Sequence, residues 1–225
     1  MPSAKDIVLK PIDGRTASNL VRKLHYSGKT TQNSQIHIGV YLGAKLLGAM
    51  QFGPSIDKRR MRGLVDDTPW DGFLELNRMA FDDRLPRNSE SRALGVAMRL
   101  LRKNAPHVQW VVSFADGTQC GDGTIYRASG FVLTAIKRNT SMLRLPDGSV
   151  VARKSLDDHV AADGRYLSAH AREAGVRPLE GHQLRYVYFL DPTARSRLTV
   201  PEVPYSAIRD ADARMYRGEK LAREA

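Results

Sequence analysis

The stretch from Phe73 to Ala115 constrains the fold more than any other part of this chain, because it reads as strand, helix and strand in unbroken succession. Phe73 to Phe81 alternates with period two. This predicts Leu74, Leu76, Arg78 and Ala80 on one face of a strand and Glu75, Asn77, Met79 and Phe81 on the other. A basic loop, Asp82 to Asn88, leads into a helix with Ser89 as the predicted N-cap. Glu90 falls in its first turn, where the helix dipole favours a carboxylate. Leu94, Ala97, Met98 and Leu101 give this helix an apolar stripe until Pro106 stops it. Val108 to Ala115 follows as the most buried-looking strand. Two strands joined by a crossover helix lie parallel in one sheet, so the expected class is α/β (α+β), a mixed central sheet flanked by helices.

The flanking sequence extends this unit. Ile7 to Leu9 starts a first strand, and Thr16 to His25 reads as a helix with Thr16 or Ser18 as N-cap. Gly28 to Ser34 is polar and loop-like. The apolar runs Ile36–Leu42 and Leu46–Phe52, around Gly43-Ala44-Lys45, signal a hairpin. After Ala115 come a glycine-rich turn, a short helix around Thr124 to Ser129 and a strand from Phe131. Arg153 to Gly175 is predicted to be a helical insertion and Leu184 to Leu190 a late strand. One domain over residues 1–190 and a C-terminal extension over 191–225, with Pro192, Pro201 and Pro204, are expected. The extension carries seven basic and six acidic residues, so its charge alone does not mark a DNA-binding arm.

Composition narrows the function. At 42% hydrophobic and 26% charged residues the chain suits a globular protein. No apolar run approaches a membrane span, and the first residues lack the apolar core of a signal peptide, so a cytoplasmic location is expected. A single cysteine, Cys120, excludes an intrachain disulfide or a multi-cysteine zinc site, and no His or Lys beside it in sequence lowers its thiol pKa. Lys plus Arg number 35 against 24 Asp plus Glu, a net charge of +11. That excess favours a polyanion through phosphate contacts and counterion release. General solubility, or an acidic cofactor such as coenzyme A, is the blander account.

Two stretches carry a resemblance. One is Glu75-Leu-Asn-Arg-Met-Ala-Phe-Asp-Asp with Arg87-Asn-Ser-Glu-Ser-Arg-Ala-Leu-Gly. The other is Val111-Val-Ser-Phe-Ala-Asp-Gly-Thr-Gln-Cys-Gly-Asp-Gly-Thr-Ile-Tyr-Arg-Ala-Ser-Gly-Phe. Their strand–loop–helix and strand–turn–Tyr…Gly-Phe order resembles the core of the GNAT acyltransferase fold. Their wording is closer to one branch, the Mom DNA-modification proteins of Mu-type phages. The resemblance is strong from about His25 to Phe131 and weaker to Tyr188.

The resemblance implies a catalytic domain that converts adenine in double-stranded DNA to N6-carbamoylmethyladenine, protecting phage DNA from host restriction. It implies acetyl-CoA or another activated two-carbon donor, small-molecule or aminoacyl, and iron. His25 and Asp116 would hold the iron, with His37 or Asp122 as guesses for a third ligand. Tyr26, Arg78, Ser91, Tyr126 and Asp116 would serve catalysis. Arg92-Ala-Leu-Gly95-Val-Ala97 matches a GNAT pyrophosphate pattern and places Ser89, Arg92 and Gly95 against the donor, because a helix start presents unpaired N–H groups to an anion. Gly95 lies inside the helix, though, where helix–sheet packing explains it nearly as well.

Each residue has a plainer reading. His25 suits a helix C-terminus, Asp116-Gly117 is turn chemistry, Arg78 within a strand needs a partner, and Tyr126 can be packing. Basic clusters at Lys58-Arg59-Arg60 with Arg62, at Arg84 and Arg87, and at Arg127 with Lys137-Arg138 could track a DNA backbone. Trp70 and Tyr26 could stack on a flipped base. An ordinary GNAT N-acetyltransferase of a small amine or protein and a non-enzymatic DNA-binding protein are the rival readings. A homodimer is left open.

Overall fold

In a computed structural model, residues 2–118 and 121–213 are described. Cys120 and positions 214–225 of the C-terminal extension lie outside them. The chain divides into two compact units. The first runs through Phe114 and takes in Gly123–Ala135 and Arg185–Pro204. The second comprises Ala115–Asp122, Ile136–Leu184 and the described residues from Tyr205.

The first elements are β1 (Ile7–Pro11), α1 (Gly14–Leu24), β2 (Ile36–Leu42) and β3 (Lys45–Gly53). Asp13, not Thr16 or Ser18, caps α1: its carboxylate accepts the Thr16 backbone N–H at 2.9 Å and the Thr16 hydroxyl at 2.7 Å. At the other end the His25 N–H donates to the Val21 carbonyl at 2.8 Å. The hairpin turns at Gly43, whose φ of +59° a glycine adopts without strain. A five-residue helix, α2 (Lys58–Arg62), follows, with the Asp57 carboxylate on the Arg60 N–H at 3.3 Å. Its sequence has no apolar stripe, and none was predicted there.

β4 (Phe73–Phe81), α3 (Ser89–Asn104) and β5 (Trp110–Asp116) form the expected parallel crossover, with Phe73↔Trp110, Leu74↔Val111 and Glu75↔Val112 in register. α4 (Thr124–Ala128) and β6 (Val132–Arg138) come next, and β10 (His182–Phe189) enters late. The resulting seven-stranded sheet has the order β1-β2-β3-β4-β5-β10-β6, a mixed sheet with flanking helices as the sequence predicts.

The alternation predicted along β4 is broken. Arg78 pairs with Gln51 of β3 but Leu76 with Phe52, so Asn77 is the extra residue of a β-bulge. Gly53 and Glu75 are paired one step further on. Cross-strand partners share a face, so Glu75 lies on the same face as Arg78, not the opposite one.

Two clusters cover that face in the first unit. Ala17 and Val21 of α1 pack on Ala49 and Ala80. Leu64, Val65 and Ala194 pack with Phe73, Trp110, Val112 and Val187. The Trp110 ring stacks on Phe73 at 4.4 Å, and its Nε1–H donates to the Thr68 hydroxyl at 3.0 Å. After β10 a 3₁₀ turn, Pro192–Arg197, brings Leu198 and Val200 onto the same cluster.

The second unit holds a three-stranded sheet, β8-β7-β9, of β7 (Met142–Arg144), β8 (Val150–Ala152) and β9 (Arg177–Pro178). α5 (Arg153–Asp157) and α6 (Leu167–Glu173) fall where the helical insertion was expected, as two short helices. Buried Asn139 staples this unit, donating to the Met142 and Leu179 carbonyls at 2.9 and 2.8 Å. The last described helix is α7 (Ser206–Asp210). No helix among the described residues is long and apolar enough to cross a membrane.

Candidate functional site

The bulged face of β4 gathers polar groups that a strand interior normally avoids. Gln51 is fully buried within an apolar run. Its Oε1 accepts the Thr30 hydroxyl at 2.9 Å, its Nε2 donates to the Ser18 hydroxyl at 3.3 Å, and His37 Nδ1 lies 3.4 Å away. Burial lowers the His37 pKa, against the opposing pull of Asp13. Asn77 is fixed from both ends: Oδ1 accepts the Ser34 hydroxyl at 3.0 Å and Nδ2 points to the Pro54 carbonyl at 3.4 Å.

Beside them, Arg78 donates from Nε to the Lys29 carbonyl at 3.0 Å and from Nη1 to the Asn77 carbonyl at 2.6 Å. The neighbouring Glu75 carboxyl has its pKa raised by burial, which outweighs hydrogen bonding from Ser55 and Asn77 and the attraction of Arg78. The loop from Lys29 to Ser34 is thus tied to the sheet by polar bonds.

His25 and Tyr26 begin that loop, with ring centroids 4.2 Å apart, and Tyr26 is 48% exposed. The Ser27 backbone N–H donates to His25 Nδ1 at 3.2 Å, with the Ser27 hydroxyl 2.8 Å from the same nitrogen. An amide can only donate, so Nδ1 is the acceptor and the neutral ring carries its proton on Nε2. Among the described residues, no three His, Cys, Asp or Glu side chains are gathered where they could hold a metal ion.

The start of α3 differs from the prediction by one residue. Asn88, not Ser89, is the N-cap, with a left-handed φ of 68° that keeps its side chain from capping the first turn. The Ser91 hydroxyl turns back to the Asn88 carbonyl at 3.2 Å. Ser89 Oγ is buried without a hydrogen-bond partner, and so is Ser113 Oγ on β5. A cavity of about 330 Å³ beside this helix start is lined by Asp82, Asp83, Arg87 and Glu90 among others. Arg84 clasps Asp82 through two 2.7 Å bonds, which holds that carboxyl well below its usual range. Arg92 is exposed. A methyl at Gly95 would meet nothing nearer than Arg99 Nη1 at 3.9 Å, so close helix–sheet packing does not require the glycine.

Tyr126 is buried in an aromatic cluster, 5.4 Å from Phe131 and 5.2 Å from Tyr186. Arg127 is exposed. In the second unit, Asp116 Oδ1 accepts the Thr118 N–H at 3.0 Å and so organises its own turn.

A family model, the Mom protein family, matches residues 6–207. This chain belongs to the Mom family. A curated relative, the methylcarbamoylase mom of Escherichia phage Mu, is 35% identical over 198 residues, covering 87% of this chain and 80% of its own. Solved structures similar to the chain include the ribosomal-protein-S18-alanine N-acetyltransferase from Escherichia coli, at 12% identity and a TM-score of 0.44 over 82% of this chain and 94% of that one. Another is an acetyltransferase from Bacillus subtilis in complex with CoA, at 11% identity and a TM-score of 0.43 over 81% and 97%.

Within this Mom-family chain the first unit brings His25, Tyr26, Arg78 and the loop between them into one polar region. Sequence reasoning missed Gln51, Asn77 and the placement of Glu75 there. The signal for Gln51 was available: it is a lone amide in the run Leu46–Phe52.

Proposed function

We propose that this chain is an enzyme that converts adenine in DNA to N6-carbamoylmethyladenine, acting in the host cytoplasm to protect phage DNA from restriction. The observation that carries the reading is the 35% identity, over 87% of the chain, to the methylcarbamoylase of phage Mu. The net charge of +11 supports a polyanionic substrate. A target amine inside a duplex edge must be flipped out to be reached, which exposed Tyr26 at the polar face can assist by stacking.

The remaining roles follow from the groups present. Arg78 keeps guanidinium donors beyond those given to Lys29 and Asn77, suited to a carbonyl or phosphate oxygen. His25, with its proton on Nε2, is a hydrogen-bond donor. Ser89, Ser91, Arg92 and Gly95 at the start of α3 serve the donor, Tyr126 serves as proton donor, and Asp116 shapes the turn after β5. Lys58, Arg59, Arg60, Arg87 and Arg127 meet DNA phosphates, whereas Arg84 is neutralised by Asp82.

Atom balance selects the donor class. The product gains two carbons, three hydrogens, a nitrogen and an oxygen. Acetyl-CoA lacks the nitrogen, and bonding its methyl carbon to N6 would need a two-electron oxidant. An aminoacyl ester of the glycyl type carries every atom gained: N6 bonds to its α-carbon as the α-carbon–nitrogen bond breaks, the freed nitrogen takes the acyl carbon from the ester oxygen, and an alcohol leaves with the N6 proton, with no net oxidation. Nucleoside mass spectrometry of DNA from cells expressing the chain tests the reading, with an adenine adduct of that composition as the expected result. An acetyl-sized gain would assign an ordinary acetyltransferase, and unmodified DNA with protection lost on deproteinisation would assign a passive DNA-binding protein.

A further inference from the structure

Trp70 is 55% exposed, yet its position is tightly determined. It sits in the turn Pro69–Gly72, closed by the Gly72 N–H on the Pro69 carbonyl at 3.0 Å. One residue before that turn, Thr68 is buried, its hydroxyl donating to the Val65 carbonyl at 2.6 Å while accepting Trp110 Nε1. At its last residue, the Gly72 carbonyl accepts the Gln109 N–H at 2.8 Å. An indole held out on a rigid turn loses little entropy when something stacks on it.

The helix beside it is a cluster of cations. Lys58 Nζ lies 4.6 Å from the Trp70 ring centroid and Arg62 Cζ 5.8 Å. These two residues are four apart and so project from one side of α2. Arg60 projects from the opposite side of α2, within electrostatic reach of Arg185 of β10. Arg185 is anchored by Nε on the Thr134 hydroxyl at 2.9 Å and Nη2 on the Thr134 carbonyl at 3.2 Å. Burial, and then the nearby Arg60, disfavour the charge on Arg185. Asp57, Asp66, Asp67 and Asp71 are close in sequence, but among the described residues none forms an ion pair with Lys58, Arg59, Arg60, Arg62 or Arg185. Cations that no carboxylate neutralises are arranged for an external anion.

This patch lies on the side of the sheet that carries the polar region. Arg185 precedes Val187 by two residues on β10, and Val187 packs with Phe73, which precedes Glu75 by two on β4. We infer that α2, Arg185 and Trp70 form a grip for the DNA strand next to the target base, with its phosphodiesters met by the cations of α2 and by Arg185 and an unpaired nucleobase stacked on the exposed Trp70 ring. The inference rests on the DNA-modifying reading and names where the substrate strand is held.

The two tryptophans make it testable. Trp110 is fully buried, so a change in acrylamide quenching on adding DNA reports Trp70. The full chain is titrated with fluorescein-labelled duplex carrying one mismatched adenine, followed by anisotropy, and with unlabelled duplex, followed by acrylamide quenching. Heparin, a polyanion without bases, is the control. The duplex is expected to shield Trp70 and heparin to leave it accessible. Trp70→Ala should weaken duplex binding by roughly 5- to 150-fold. Arg185→Gln should lower the slope of log affinity against log salt by about 0.9. Buried Trp110 emission verifies that each variant is folded. Duplex binding with unchanged Trp70 quenching and undiminished affinity of Trp70→Ala would overturn the grip while leaving the DNA reading intact. Absence of duplex binding by anisotropy would overturn both.

Discussion

Glu75→Gln should stabilise the protein at neutral pH and change nothing in acid. The bulge at Asn77 brings Glu75 onto the Arg78 face, yet burial still dominates and raises its pKa above the usual value of about 4.3. A carboxyl with a raised folded-state pKa binds its proton more tightly in the folded than in the unfolded chain. Its favourable contribution is therefore complete below the unfolded pKa and is lost as pH rises through the folded one. Glutamine keeps the shape and the neutral state at every pH. For each unit by which the folded pKa exceeds the unfolded one, the variant should gain about 1.4 kcal/mol over the parent above that window. In a chain of this length that corresponds to roughly 3–6 °C in Tm. Arg78 is not orphaned by the change, because its bonds to the Lys29 and Asn77 carbonyls persist. Thermal melts of both proteins from about pH 4 to pH 8 should show Tm values that coincide in acid and diverge as pH rises. A difference independent of pH, or one that shrinks with rising pH, would show that burial is not the dominant influence on Glu75.

Arg78→Lys keeps the charge but cannot reach the Lys29 and Asn77 carbonyls from two nitrogens at once. It should cost about 1–2 kcal/mol of stability and lower adduct yield at least about tenfold. Undiminished adduct by nucleoside mass spectrometry would remove Arg78 from the site. Gly53→Ala would place a Cβ 2.5 Å from the Asn33 carbonyl oxygen and 2.8 Å from Ser34 Cα, backbone atoms that cannot swing aside. Loss of about 1–3 kcal/mol in urea unfolding is expected, with adduct yield falling as the loop is displaced. An unchanged unfolding midpoint would show that the loop is not held against β3.

The elements legible in the sequence are those whose periodicity is carried by apolar residues. The hairpin strands, β4, the stripe of α3 and β5 fall close to their predicted bounds because each buries a face. α2 was not legible, since Lys58-Arg59-Arg60-Met61-Arg62 has no stripe and is marked by the Asp57 cap alone. The strands β7 to β9 are two or three residues long, and β9 pairs with β7 across an intervening segment, which no local pattern records. At α1 the sequence offered several capping residues, and the actual cap binds one of the rivals, Asp13 taking both the amide and the hydroxyl of Thr16. Among the candidate residues, His25 and Tyr26 could be singled out because they are adjacent and polar at a helix end. Arg185 could not, because its meaning depends on Arg60, far away in sequence.

The bulge explains why the polar region was the hardest part to read. One inserted residue leaves the alternation of β4 looking regular, since Asn77 is itself polar, but it reverses the facing of everything before it relative to everything after. A strict period-two reading puts Arg78 with Leu76 and away from Glu75, and an apolar face then appears to carry an unexplained guanidinium. With Asn77 counted out of register, Glu75, Arg78 and Gln51 fall together, and Leu76 joins Phe52. The groups that hold the extra residue, Ser34 on Asn77 Oδ1 and the Pro54 carbonyl near Nδ2, come from the loop and strand end that also bracket Gly53. Bulge, glycine and loop therefore specify one another, and the charged face of β4 exists only when all three are in place.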